Sequence, residues 1–188
     1  MKLPKFIHRA IRIVFHTKQE WNNISQEYCS EKDLFLQYAL PWILLCTSIS
    51  AIFTGIYADQ FWPHFFLTLL LNSLSLIGGY FMACYLGFYV LEKIFPKLFN
   101  KQDTITVITY AFTIYWTLEV IVAIIPDFFF LRVLNLYTLY MLWEADGILM
   151  DIPKQKQGIV VLPLAIIIVG ATPIIRVAST ILLPNVHL

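Results

Sequence analysis

Charge is scarce in this 188-residue sequence: Asp, Glu, Lys and Arg make up 13% of it, about half of the roughly 25% usual in soluble domains. That leaves too few ionic side chains to clothe a water-facing surface. The net charge of +1 excludes nucleic acid as a bulk partner, because phosphate binding needs a basic excess. Cys29, Cys46 and Cys84 lie far apart with no CxxC or Cys/His cluster, so a disulfide framework is unsupported. Cys46 and Cys84 read as small apolar packing residues. The histidines, His8, His16, His64 and His187, show no HExxH or similar ligand spacing; no metal and no cofactor is expected. Also missing are GxSxG, GxxxxGK[ST], a nucleophile–His pair at membrane depth and paired aspartates on facing helices. No enzyme is expected.

Apolar residues are what the chain does have: 59% of it, with a mean hydropathy of +0.72. They gather into five stretches. Water cannot reach the backbone in hydrocarbon, so each crossing must be a helix or part of a closed barrel. The stretches run to about 20 residues without period-2 alternation, which selects helices. The expected fold is all-α: a polytopic bundle of five transmembrane helices over 35–188, with spans near 35–57, 65–91, 104–125, 128–150 and 158–183. The fourth is the least regular, since Arg132, Glu144 and Asp146 flank its uncharged run 133–143. Pro163 and Pro173 in the fifth predict a kinked or broken helix.

Residues 1–34 form a cytoplasmic segment of their own. Ile7, Ala10, Ile11 and Val14 fall on one helical face, and Lys5, Arg9, Arg12 and His16 largely on another. This is the pattern of an amphipathic helix lying in the membrane interface; the alternative is a helix packed on the bundle's loops. Arg9 and Arg12 interrupt the apolar residues, so the start is no secretory signal peptide.

Lys2, Lys5, Arg9, Arg12, Lys18 and Lys32 precede the first span. Lys93, Lys97 and Lys101 follow the second, and Lys154 and Lys156 follow the fourth. The connections on the other side carry no Lys or Arg. Basic loops stay cytoplasmic. The expected setting is a cytoplasmic or inner cell membrane, with the N-terminus inside and the C-terminus outside.

Charges within spans mark the candidate site, because burying one in lipid costs at least ~2.5 kcal/mol. Glu119, Arg132 and Arg176 fall at similar depth, roughly 6–10 Å below the outer surface at 1.5 Å per residue. They could pin helices together or line a transport path. Glu144 and Asp146 form an acidic pair at the cytoplasmic end of the fourth span, placed to meet Lys154 or Lys156. In the second span Asn72, Ser75, Gly79, Ala83 and Gly87 share one face. The double small-xxx-small pattern lets another helix approach closely, either within the bundle or in a homodimer. The abundant Tyr and Trp fit interfacial belts.

Several stretches together resemble the Yip1 family in its small prokaryotic members: 17–27 (TKQEWNNISQE), 38–43 (YALPWI), 110–126 (YAFTIYWTLEVIVAIIP), 136–150 (LYTLYMLWEADGILM) and 158–169 (GIVVLPLAIIIV). The resemblance implies five membrane helices with a cytosolic N-terminus. Eukaryotic relatives are associated with small Rab-type GTPases and vesicle traffic between endoplasmic reticulum and Golgi. Their acidic-Leu-Tyr-Gly-Pro signature is missing here, which argues against small-GTPase binding. The expectation is a non-enzymatic scaffold or accessory subunit, with the lipid bilayer and a protein partner or a second copy as its contacts. The other reading is a small transporter or channel using the Glu119, Arg132 and Arg176 cluster.

Overall fold

The computed structural model describes residues 5–27, 29–94, 100–150, 152 and 155–182. All regular structure among them is helical. Two short helices open the chain, α1 (Lys5–Phe15) and α2 (Thr17–Gln26). A continuous rod follows, built from α3 (Glu31–Leu34), a π-helical turn Phe35–Ala39 and α4 (Leu40–Tyr57). Then come α5 (Phe61–Ile94), α6 (Lys101–Ile124), a 3₁₀ segment Pro126–Leu136, α7 (Tyr137–Leu149) and α8 (Gln157–Leu182).

Each boundary has a local cause. Ser30 caps α3, accepting from the Asp33 N–H at 3.1 Å, and Asn100 caps α6 through the Gln102 N–H at 3.2 Å. Pro41 lacks the N–H that an α-helix would aim at Gln37, and its ring would press on that carbonyl. The wider π turn just before it relieves this clash. Two expectations change. The fourth stretch is not one α-helix: its aromatic run Phe128–Phe130 has low helix propensity, and Pro126–Leu136 winds as a 3₁₀ helix. Of the kinked and broken forms expected for the last helix, the broken one is excluded, because α8 runs uninterrupted through Pro163 and Pro173. Each proline removes only one ladder bond.

Among the described residues four helical rods are long and apolar enough to cross a membrane: Glu31–Tyr57, Phe61–Ile94, Lys101–Ile124 and Gln157–Ile181. Their side-chain contacts fix direction. Tyr38 meets Thr113, Cys46 meets the Trp116 carbonyl and Tyr57 the Ile124 carbonyl, so α4 runs parallel to α6. Gly87 lies between Ile108 and Leu164, Gly79 against Thr172, and Arg176 on Glu119. Hence α8 is also parallel to α6, and α5 is antiparallel to both. The chain is therefore back at its starting end when α8 begins, carried there by the 3₁₀ segment and α7.

The centre is α6, buried almost all round from Thr104 to Trp116. An aromatic column surrounds it. Trp42 stacks on Trp116 at 6.4 Å, Phe112 on Trp116 at 5.3 Å, and Tyr38 meets Tyr110 edge-on at 4.6 Å. This corrects the interfacial-belt expectation: Trp62 and Trp143 face outward, but Trp21, Trp42, Trp116, Tyr38, Tyr80 and Tyr110 are core. Cys46 and Cys84 are buried and free. The outer surface is greasy, with Leu44, Phe66, Leu70, Ile166, Ile174 and Val177 all more than half exposed.

The first two helices belong to the same core. Ala10, Ile13, Trp21 and Ile24 are buried in it, and Tyr137 donates its hydroxyl to the Val14 carbonyl at 2.8 Å. The buried face of α1 differs from the one expected: Ala10 and Ile13 point inward, while Ile11 is 45% and Phe15 76% exposed.

Close approach of α5 to α8 generates a test. A Cβ on Gly79 would meet the Thr172 backbone Cα at 2.7 Å, whereas one on Gly170 would meet nothing within 4 Å. Gly79→Ala is expected to destabilise by about 1–3 kcal/mol, and Gly170→Ala to stabilise by about 1 kcal/mol. Thermal unfolding in mild detergent reads both; equal effects would contradict the α5–α8 contact.

Candidate functional site

The expected intramembrane cluster comes together from three elements. Glu119 sits on the last turns of α6, Arg132 on the 3₁₀ segment and Arg176 near the end of α8. Glu119 Oε1 accepts from Arg132 Nη2 and Oε2 from Arg176 Nη2, each at 3.3 Å. Its side chain is 11% exposed, against 48% for Arg132 and 34% for Arg176. In a 3₁₀ helix residues i and i+3 eclipse, which puts Arg132 in line with buried Asn135. One carboxylate thus spends both oxygens on two guanidiniums from different helices, the arrangement of a three-way clamp.

The other expected residues divide. Ser75, Gly79, Ala83 and Gly87 are buried and Asn72 is half-buried; Gly79 and Gly87 lie against α8 and α6. Glu144 is half-buried, while Asp146 is wholly buried and neither of its oxygens has a hydrogen-bond partner among the described residues. The two carboxylates therefore differ in burial. Lys154 lies outside the described residues.

Two features were not found from sequence. One is a ladder of threonines inside α6. Thr106, Thr109, Thr113 and Thr117 donate to carbonyls of their own helix at 2.6–2.8 Å. Their oxygens are then free to accept from Tyr80 at Thr109 (2.9 Å) and from Tyr38 at Thr113 (2.6 Å). The i, i+3, i+4 spacing of threonine was a readable signal.

The second is an ion network at the basic end, centred on half-buried Arg9. Its Nε donates to Glu20 at 3.0 Å, Nη1 to the Tyr110 hydroxyl at 3.0 Å and Nη2 to Glu27 at 2.6 Å. Arg12 Nη2 takes the other Glu20 oxygen at 2.8 Å. Glu20 is 1% exposed, a burial tolerable only because both oxygens are paired. Burial works against the Arg9 charge, but Glu27 and Tyr110 more than offset it and raise its pKa. The hydrogen bond from Arg9 is the main cause lowering that of Glu27. Beside the network opens a cavity of about 760 Å³, with Tyr38 of the π turn on its wall. Nearby, Gln102 donates to the Cys29 carbonyl and Lys101 pairs with Glu31 at 3.0 Å, latching the rod to α6. Among the described residues no three of His, Cys, Asp and Glu converge as a metal shell requires.

Comparison with known proteins adds one finding: the Yip1 domain matches residues 11–174. No curated protein and no solved structure matches the chain.

Two tests follow from this geometry. Glu119→Gln should lower stability by about 1–3 kcal/mol by stranding two guanidiniums. Adding Arg176→Gln should cost less than the sum of the single changes; strict additivity in thermal unfolding would mean the clamp is not formed. The second concerns pH. Because Glu27 is held below its ordinary 4.5, its stabilising share is complete above that value and lost as pH falls through the lower folded value. Amide exchange in α1 should therefore accelerate on acidification below about pH 4.5, and Glu27→Gln should flatten that dependence.

Proposed function

This chain belongs to the Yip1 family, and on that premise we propose that it works as a non-enzymatic scaffold or accessory subunit of membrane assemblies. It is a multi-pass membrane protein by its four long apolar helices and its family. The observation that carries the scaffold reading is the spent state of Glu119: both carboxylate oxygens are occupied by arginines. The cavities at the basic end do not reach that cluster. Charge in the bundle is used to hold helices, and the greasy outer surface is what remains to meet lipid and partners.

A five-crossing topology goes with this reading. The 3₁₀ segment and α7, at about 2.0 and 1.5 Å per residue, together reach about 40 Å, enough for a hydrocarbon core of about 30 Å. The parallel courses of α4, α6 and α8 require such a return. With the basic end on the cytoplasmic side, the N-terminus is inside and the C-terminus outside a cell membrane. The small-residue face of α5 is taken up by α8 and α6, so self-association would use another surface. Neither nucleic acid nor a small GTPase is assigned as a partner.

A second reading, a transporter working through the same cluster, draws on one observation. Ser75 Oγ and Arg176 Nε are buried without hydrogen-bond partners among the described residues. Unpartnered polar groups of this kind can line a solute path.

One preparation separates the two. Gentle-detergent isolation of the full chain should yield a stable stoichiometric complex, with another protein or with itself, and vesicles of the purified chain should be flux-inert. A partnerless monomer sinks the scaffold. Ion or solute flux that disappears in Glu119→Gln and Arg176→Gln establishes the transporter in its place.

A further inference from the structure

The cavity at the basic end carries unspent charges of both signs on its lining. Lys5, His8 and Arg12 recur at helical spacing along α1 and belong to that lining. Lys5 and His8 have no partner among the described residues, and Arg12 commits only Nη2, to Glu20. Asp33 and Glu27 line the same cavity. Ser30 takes one oxygen of Asp33 and Arg9 takes one oxygen of Glu27; the second oxygen of each is uncommitted. Arg9 commits three of its five N–H donors to Glu20, Tyr110 and Glu27, which fixes it in the lining. Formal charges on the lining cancel, with Lys5, Arg9 and Arg12 against Glu20, Glu27 and Asp33.

A simple anion would meet three carboxylates here, and a simple cation three basic groups. A ligand carrying both signs matches a lining that carries both. Ammonium and guanidinium groups form strong charge-assisted hydrogen bonds to phosphate oxygens, and a primary ammonium offers three N–H donors to carboxylates. The volume of about 760 Å³ lies within the usual ~300–1,000 Å³ of small-molecule sites. Phe6, Leu34 and Tyr38 supply apolar lining for the ligand's body.

We propose that this cavity binds a zwitterionic phosphate–amine of the phosphoethanolamine type, its phosphate on Lys5, His8 and Arg12 and its ammonium on Asp33 and Glu27. A lipid headgroup and a free phosphoethanolamine present the same chemistry. The site is independent of the scaffold reading, since it needs no protein partner.

The test is native mass spectrometry of the full chain in detergent, titrated separately with phosphatidylethanolamine, phosphatidylglycerol, phosphatidylcholine and water-soluble phosphoethanolamine. Phosphatidylethanolamine should bind tighter than the other two lipids. Retention by phosphoethanolamine alone as well would show that the headgroup suffices, and retention of the lipid only would identify the membrane as the source; either supports the site. Lys5→Gln and Asp33→Asn should each weaken binding about tenfold. Lys93→Gln, a basic-end lysine off the cavity wall, should leave it unchanged. Lys5 has no partner to lose among the described residues, so its replacement does not threaten their packing. Binding of neither amine ligand overturns the proposal, as does phosphatidylglycerol or phosphatidylcholine binding at least as tightly, or Lys93→Gln acting as strongly as Lys5→Gln.

Discussion

Lipid offers helices no hydrophobic reason to associate, since acyl chains are as apolar as leucine. A bundle in that solvent must be held by close backbone approach, shape and satisfied polar contacts. The structure meets the demand through α6. Its threonines return their protons to their own helix and present oxygens to tyrosines of the neighbouring rods. Around them Trp42, Phe112 and Trp116 fill the space that small hydroxyls leave. On the far side, glycines of α5 admit α8 to backbone contact. Polar satisfaction and close packing thus occupy different faces of one assembly.

Charge is disposed by the same constraint. Nearly every ionic group below the surface is part of a closed set: Glu119 between two arginines, Glu20 between two others. These sets sit at opposite ends of the bundle: the first joins α6 to the 3₁₀ segment and α8, the second joins α1 to α2. Replacing such a pair by apolar residues need not destabilise, but removing one member strands a charge. They act as register pins, fixing which end of which helix meets which. Asp146 stands apart, buried without a hydrogen bond among the described residues, and the structure gives no physical account of it.

The N-terminal segment shows how an amphipathic pattern can be legible while the residues it buries are not. Its helix has an apolar arc and a basic arc, as an interfacial helix does. Yet it packs into the bundle through Ala10 and Ile13 and leaves Ile11 and Phe15 outside. The basic arc is partly spent on Glu20 and Glu27, eleven and eighteen residues beyond Arg9. A hydrophobic wheel records which residues are apolar, not which apolar neighbour lies beside them. Trp21 behaves alike: aromatic patterning suggests the headgroup belt, but Tyr110 of α6 takes its edge at 6.1 Å.

Sequence alone determined the solvent and the crossing rods, because apolar length is a local property and lipid enforces helix wherever it is long enough. It also located Glu119, Arg132 and Arg176 at one depth, since depth follows from counting residues along a helix. Only the tertiary structure decided that the three share one carboxylate, that α6 is the hub, and that Arg9 closes onto Tyr110 a hundred and one positions away. It alone decided the 3₁₀ return before α7. Azimuth and neighbour depend on how all the rods pack together, and no single stretch of chain contains that information.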